Sequence, residues 1–233
     1  MRDVYILTEN LNTPTDTDIE KISSMLNFDM PELRDYWRKY GEGCLAGAVR
    51  VFSPEKILNE NQEFKDRWKE YFFWGSPESE IGPGFEGDAI IIADSLDGDE
   101  IVQLKDGLYI LPRHNDVAKK IGSDIWDAIE YICFSGAIYS DTNYLWFESY
   151  INRARRDYTD GRFDYDEILG TVNGLDGLHI ATSPEEEYIS VLLTDVQGSM
   201  SFIGENAIIK CDEGCSVDKY EKILNEYGYE IIE

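Results

Sequence analysis

The residues of this chain that could carry chemistry are mainly carboxylates, and three groups of them stand out. The first group flanks a glycine turn between two apolar runs: Asp94, Asp97, Asp99 and Glu100. The second group is consecutive, Glu185, Glu186 and Glu187, and the third is Asp164 with Asp166 and Glu167. The second and third groups are candidates for general acid and base catalysis or metal binding, and the first group suggests a calcium-binding loop. If Gly98 is aligned with the glycine of a calcium-binding loop, however, the first ligand position falls on Ala93 and the last on Leu104. We therefore expect a tight hairpin with solvated carboxylates.

Motifs for nucleophilic catalysis, phosphate binding and zinc binding are not evident. The sequence has no G-x-S-x-G, no P-loop, and no G-x-G-x-x-G that follows a strand and opens a helix. Cys211 and Cys215 are separated by three residues, and the chain has only two histidines to complete a zinc set. His114, followed by Asn115 and Asp116, could act as a general base, although a loop histidine in a hydrogen-bonded turn is commoner. The sequence favours a protein without metal, cofactor or catalytic centre, and a carboxylate-based enzyme stays an open alternative.

The charge of the chain restricts its partners. It has 21 basic and 47 acidic residues, a net charge of −26 and a sequence pI near 4.3. Nucleic-acid binding is disfavoured because its affinity comes largely from cations that neutralise phosphates, and an acidic membrane surface repels such a chain. The excess of carboxylates is consistent with simple solubility or with steering toward a basic protein partner.

The N-terminal residues and the cysteine content predict the compartment. The first seven residues, MRDVYIL, lack the long apolar run of a signal peptide, and no stretch approaches the ~20 apolar residues of a membrane span. Four cysteines are too few for a disulfide scaffold, so reduced thiols are expected. These features predict a cytoplasmic protein.

Local signals in the first half predict a mixture of helices and strands. The predicted elements are, in order, a strand at 4–7, a helix from Thr17, a helix from Pro31 to Tyr40, a strand at 44–52, a helix at 61–74, a loop at 75–87, a three-stranded meander at 88–113 and a helix from Ser123 to before Gly136. Thr17 and Glu20 have the spacing of a capping box at the start of the first helix. This order is typical of an α+β fold, an antiparallel sheet with helices on one face.

Signals in the second half are weaker. The predicted elements are a helix at 144–156, strands at 178–181, 188–193, 199–203 and 207–210, a helix from Ser216 to Tyr227 and a strand at 229–232. Arg153, Arg155 and Arg156 form the only dense basic cluster, and we expect them to pair with the protein's own carboxylates. We therefore divide the chain into an α+β domain at 1–140 and an α+β extension or second small domain at 141–233.

Between residues 16 and 136, several sequence features follow one another in an order that is also found in a known family. They are Ile19-Glu20-Lys21-Ile22 in the first helix, Met30-Pro31 before Tyr40-Gly41, Ile91-Ile92-Ala93-Asp94 before Asp97-Gly98-Asp99-Glu100-Ile101, and a closing helix around Trp126 to Phe134. In these features about half of the chain resembles the SUKH superfamily, whose bacterial members are largely immunity proteins that neutralise toxins delivered between competing cells. Gly41-Glu42-Gly43 departs from the adjacent glycines that the family often has after the second helix. The resemblance implies an α+β fold, no catalysis and the binding of a cognate toxin, often a nuclease or nucleotide-modifying enzyme.

The resemblance and the charge together predict a surface that binds a basic toxin. We expect the hairpin carboxylates at 94–100 to contact the toxin, and the acids at 185–187 to form a second contact region. Tight interfaces usually centre on desolvated aromatic side chains, so the exposed members of Tyr71, Phe73 and Trp74 are candidate anchors. A regulatory or scaffold module that binds another protein without inhibiting a toxin is the alternative.

Overall fold

The computed structural model describes residues 4–8, 11–25, 29–134, 145–150, 153–175, 177–183 and 187–232. The fold is α+β with mainly antiparallel strands, which confirms the predicted fold class. The chain forms two compact units. Unit 1 is mainly Leu11–Ser140 with Phe147–Ser149, and unit 2 is Arg2–Asn10, Asp141–Trp146 and Tyr150–Glu233. No helix among the described residues is long and apolar enough to cross a membrane.

The described residues form helices and strands in both units. The helices are α1 (Asp16–Met25), α2 (Pro31–Lys39), α3 (Pro54–Glu70), α4 (Ile125–Phe134), α5 (Tyr165–Asn173) and α6 (Asp218–Glu226). The strands are β1 (Val4–Ile6), β2 (Gly43–Leu45), β3 (Val49–Val51), β4 (Ile90–Ser95), β5 (Glu100–Leu104), β6 (Gly107–Leu111), β7 (Lys119–Gly122), β8 (Leu145–Ser149), β9 (Arg153–Thr159), β10 (Gly177–Ser183), β11 (Tyr188–Leu193), β12 (Gly198–Ile203), β13 (Asn206–Asp212) and β14 (Glu230–Ile231). One sheet has the order β1-β8-β2-β3-β4-β5-β6-β7, and the other has the order β10-β11-β12-β13-β9-β14.

The predicted meander at 88–113 is confirmed as β4, β5 and β6, which pair in antiparallel register. The predicted single strand at 44–52 is wrong, because the chain reverses inside it to form the β2–β3 hairpin. Ala46 and Gly47 both have positive φ, at 51° and 63°, and they are the central residues of a tight turn that Ala48 closes by donating its amide to Leu45 O over 2.9 Å. Alanine is not a usual residue for that conformation, and the turn therefore left little signal in the sequence.

The starts of α1 and α3 differ from the prediction. Asp18 donates its main-chain amide to Thr15 Oγ1 over 3.2 Å, so the capping residue is Thr15 and the proposed capping box at Thr17 is wrong. Ser53 accepts the amide of Lys56 over 3.2 Å, and Pro54 occupies the first turn of α3. This helix begins before the predicted residue 61, and it ends at Glu70 rather than at 74.

The predicted helix at 144–156 is wrong, because its described residues lie in β8 and β9. Pairing of β9 with β13, more than 40 residues away along the chain, overrides the local helical pattern. The arginines of this segment do pair with the protein's own carboxylates, as predicted: Arg153 with Asp212, Arg155 with Asp157 and Arg156 with Glu221. β7 and α5 were not predicted.

Arg153 connects three segments of unit 2. Its side chain is only 9% exposed, and Nη1 donates to Leu7 O over 2.9 Å, to Gln197 O and to the Asp212 carboxylate. The remaining core of unit 2 is apolar and includes Phe202, whose ring packs edge-on against a neighbouring tyrosine. A buried guanidinium with several acceptors is stable only while those acceptors stay in place. This residue therefore fixes the N-terminal strand segment within unit 2.

The position of α3 determines where the chain emerges at its C-terminal end. Ile57 and Trp68 are buried, and Asn61 Oδ1 accepts the amide of Ile91 in β4 over 3.1 Å. The register of β4 against β5 shifts between Ile91 and Ala93, which is consistent with an irregularity at this point of the ladder. The helix is thus held against β4, and the segment that follows it lies near the end of the meander.

Candidate functional site

Unit 1 contains a recess of about 980 Å³, which we call the aromatic recess. It lies where four parts of unit 1 meet: the end of α3, the aromatic segment 71–74, the β4–β5 turn with the start of β5, and residues 111–116 after β6. The recess therefore brings together the hairpin and the aromatic segment that the sequence analysis selected separately. Their proximity is a result of the fold, since they are more than 20 residues apart in the chain.

Tyr71 and Phe73 present two rings to solvent at the mouth of the recess. Tyr71 has φ −127° and ψ 84°, so the helix ends there and the chain becomes extended. Residues two apart in an extended segment point to the same side. The two rings are accordingly parallel within 13°, with centroids 6.3 Å apart. They are 53% and 65% exposed, which is unusual for neighbouring aromatic residues.

Trp74 forms part of the wall instead of an exposed anchor. It is 5% exposed, and its Nε1 donates to Pro112 O over 2.9 Å. Its ring packs edge-on against Phe85, with centroids 6.1 Å apart. The indole also packs edge-on against the ring of Phe73, with centroids 6.3 Å apart, so Trp74 supports this exposed ring.

The β4–β5 turn has a tight hydrogen-bonded geometry. Ser95 donates its amide to Asp99 O over 2.8 Å, and its hydroxyl accepts the amide of Asp99 over 3.1 Å. Gly98 has a φ of +86°, and a Cβ at this position would lie 3.0 Å from the side chain of Arg113. The backbone conformation therefore favours glycine here, and a Cβ would require the Arg113 side chain to move by a few tenths of an ångström.

Two of the four hairpin carboxylates are neutralised by arginines of unit 1. Asp94 accepts two hydrogen bonds from Arg50, over 2.8 and 2.5 Å, in a bidentate pair. Glu100 accepts from Arg67 and, over 2.6 Å, from Nε1 of the buried Trp68. Both carboxylates lie largely out of solvent, with side chains 17% and 16% exposed. Their negative charge is largely compensated within the fold.

The other two hairpin carboxylates differ from each other. Asp99 Oδ1 accepts the main-chain amide of Arg113 over 2.8 Å, which ties the turn to the segment after β6. Asp97 is exposed, and its carboxylate makes no hydrogen bond or ion pair with the described residues. Of this group, Asp97 is the carboxylate most available to a partner.

The second acidic group lies apart from the recess. Glu185 and Glu186 are outside the described residues. Glu187 belongs to unit 2, is exposed, has a φ of 50° and accepts the amide of Gly204 through its carbonyl. It does not line the aromatic recess.

The sequence singled out His114 as a candidate general base but did not indicate that it lies with other hydrogen-bond donors in the recess. Arg113, His114 and Asn115 line it, and all three are exposed. Within the part of the chain that the structure describes, the guanidinium of Arg113 makes no ion pair, and His114 makes no side-chain hydrogen bond. Asn115 Oδ1 accepts the amide of Val117 over 2.9 Å, which leaves its NH₂ group available. Only His114 carried a sequence signal, because exposed loop arginines are common.

The cysteines show no arrangement for metal binding. The four cysteines, all among the described residues, form no disulfide, and Cys211 is buried, which raises the pKa of its thiol. The described residues contain no group of three or more His, Cys, Asp or Glu side chains positioned to hold a metal ion. The aromatic recess is thus the feature of unit 1 on which a functional interpretation can be based.

Comparison of the chain with protein-family models, curated proteins and solved structures finds no match. The resemblance to the SUKH superfamily consequently stays a prediction from the quoted residues. The function has to be inferred from the geometry and charge of the recess.

Proposed function

We propose that this chain is a non-catalytic immunity-type protein, which binds a basic cognate toxin through the aromatic recess and the acidic surface around it. The observation that carries the proposal is the pair of exposed, parallel rings of Tyr71 and Phe73 beside the hairpin turn. The SUKH resemblance of the first half, which includes this hairpin, points to the same function.

The two rings have the properties of an interface anchor. Aromatic side chains bury about 150–250 Å² each, so covering the exposed parts of Tyr71 and Phe73 removes roughly 200 Å² of apolar surface from water. At ~25 cal/mol per Å² this contributes about 5 kcal/mol before the costs of association are subtracted. Exposed rings on a buried support resemble the well-packed residues that dominate binding energy in interfaces.

The acidic surface supports a basic partner. Most described arginines are paired internally, for example Arg34 with Asp29 and Arg38 with Asp16. Each such pair removes one charge of either sign, so the net charge of −26 consists of carboxylates without a cation of their own. Asp116, which lines the recess, and Asp97, which precedes the lining residue Gly98 in the adjoining turn, are exposed members of this surplus. A field of this sign accelerates association with a positively charged protein.

The proposal is tested with the product of the gene adjacent to that of this chain. The two proteins are co-expressed, cell survival is scored, and the complex is measured by size-exclusion chromatography and titration calorimetry. We expect a stoichiometric complex and rescue of growth. Tyr71→Ala combined with Phe73→Ala should weaken binding at least 100-fold, since about 5 kcal/mol of gross burial is removed.

A matched control is provided by Met25→Ala, which truncates an exposed apolar side chain of α1 (54% exposed) that does not line the recess. This variant should bind like the parent. Absence of both complex and rescue would reject the proposed function. A complex whose affinity is the same in the double variant and the Met25 control would place the interface elsewhere.

A further inference from the structure

We infer that the aromatic recess is also a site for a small anion that carries a planar base, of the nucleoside monophosphate class. This inference goes beyond the proposed function, because it concerns the recess of the isolated chain and does not require a protein partner. It rests on two exposed rings, on the guanidinium of Arg113, which has no ion pair among the described residues, and on the carboxylate of Asp116, all around one volume.

The size of the recess suits a small ligand. Pockets for small molecules typically enclose about 300–1,000 Å³, and their walls are mainly apolar with a few polar groups. The recess has about 980 Å³, and its wall includes Trp68, Trp74 and Leu111. A nucleoside monophosphate occupies only part of this volume, so the mouth can stay open to water.

The rings of Tyr71 and Phe73 offer a stacking platform. Their faces are available because both side chains are more than half exposed. Stacking of a base on an aromatic side chain contributes about 1–3 kcal/mol, whichever base it is. Both rings lie on the same side of the extended segment, and their planes are within 13° of each other.

The charged side chains that line the recess indicate the chemistry of the polar end of the ligand. Arg67 also lines the recess, but it is engaged by Glu100. Arg113 has no ion pair among the described residues, although the chain contains 47 carboxylates. A guanidinium presents a planar fork of donors that matches phosphate oxygens, and His114 beside it can supply a further donor. These groups favour an anionic acceptor such as a phosphate monoester.

Asp116 disfavours the binding of ligands that carry many negative charges. Its carboxylate lines the same recess and would repel a second anionic group. It can accept hydrogen bonds from neutral donors, such as ribose hydroxyls or a base amino group. A single phosphate attached to a sugar and a base satisfies Arg113, Asp116 and the two rings together.

The inference is tested by calorimetric titration of the full chain with AMP, adenosine and inorganic phosphate. We expect AMP to bind at least tenfold more tightly than adenosine, and phosphate alone to give no measurable heat. Arg113→Gln should weaken AMP binding about tenfold and leave adenosine binding unchanged, because a hydrogen bond to a charged group contributes about 1.5–3 kcal/mol. Phe73→Ala should weaken both nucleoside ligands to a similar extent.

Arg162→Gln serves as the matched control, since this exposed arginine lies in unit 2, pairs with Glu167 and does not line the recess. It should bind AMP like the parent. The inference is overturned if AMP gives no binding at millimolar concentration, or if Arg113→Gln and Arg162→Gln bind it equally. Because no toxin is present in these titrations, their failure would leave the proposed function standing, and failure of the toxin experiment would leave this inference standing.

Discussion

Replacement of Glu100 by glutamine is the sharpest test of how the recess is supported. The Glu100 carboxylate accepts from the guanidinium of Arg67 and from the indole of Trp68, which is 1% exposed. Glutamine has nearly the same shape, but its side chain offers one acceptor oxygen and an NH₂ group. That NH₂ group must face one of the two donors, so one hydrogen bond is lost and two donors oppose each other.

The expected loss follows from the exposure of each partner. Arg67 is 49% exposed, so its pair with Glu100 contributes less than ~1 kcal/mol. The buried indole has no access to water, and an unsatisfied buried donor costs about 1–3 kcal/mol. We therefore expect Glu100→Gln to lower the free energy of unfolding of unit 1 by about 2 kcal/mol, and Arg67→Gln to lower it by about 0.5 kcal/mol.

The assay is urea denaturation followed by tryptophan fluorescence. Four of the five tryptophans belong to unit 1, namely Trp37, Trp68, Trp74 and Trp126, so the signal reports mainly that unit. The midpoint should fall while the slope with urea stays constant, because the surface exposed on unfolding is unchanged. A loss for Arg67→Gln equal to or larger than that for Glu100→Gln would refute the reasoning, as would a change below about 0.5 kcal/mol for Glu100→Gln.

Three further predictions concern charge, pH and packing. Asp97→Lys should slow association with the toxin several-fold at low salt but not at high salt, measured by stopped flow, because this exposed carboxylate steers the encounter without supporting the fold. Asp127 accepts hydrogen bonds from the main-chain amide and the hydroxyl of Ser123, and these bonds lower the pKa of its carboxyl group. Its stabilising contribution is therefore complete above the unfolded pKa of about 3.9 and is lost as the pH falls through the lower folded value. Asp127→Asn should lower the free energy of unfolding by about 0.5–1 kcal/mol at neutral pH. In calorimetric scans, the stability of this variant should fall less steeply than that of the parent below about pH 4. Gly161→Ala should destabilise unit 2 by about 1–3 kcal/mol, because the new Cβ would lie 2.1 Å from the ring of Tyr229. Gly170→Ala in α5, where the space is open, should instead stabilise unit 2 by up to ~1 kcal/mol. Equal thermal shifts for the two variants would contradict this prediction.

Elements with strong local signals were predicted correctly. The meander of β4 to β6 has apolar runs separated by glycine and aspartate turns, and α2 has a proline in its first turn. Such signals depend only on residues close together in the sequence, so they can be recognised without knowledge of the tertiary structure. The hairpin at 43–51 shows the limit of this approach, because its turn at Ala46 uses a conformation that the residue type does not indicate.

The charge balance of the recess could not be predicted, because it depends on contacts between distant residues. Asp94 and Arg50 are 44 residues apart in the chain, and Arg67 and Glu100 are 33 apart. The sequence identified the carboxylates but gave no indication of which ones would find an arginine. It therefore assigned all four hairpin acids to a partner, whereas the fold leaves chiefly Asp97 exposed and unpaired.

The buried guanidinium of Arg153 has a consequence for the order in which the chain acquires structure during synthesis. Leu7 is synthesised 146 residues before its donor Arg153, and Asp212 follows later still. The residues that form most of unit 1 are translated between these two points. Unit 1 can therefore complete its core before Arg153, the hydrogen-bond donor to Leu7, has been synthesised. Fragments that begin at residue 150 would carry the guanidinium without the Leu7 carbonyl, and dissection of this protein should join residues 2–10 to the C-terminal segment through a short linker.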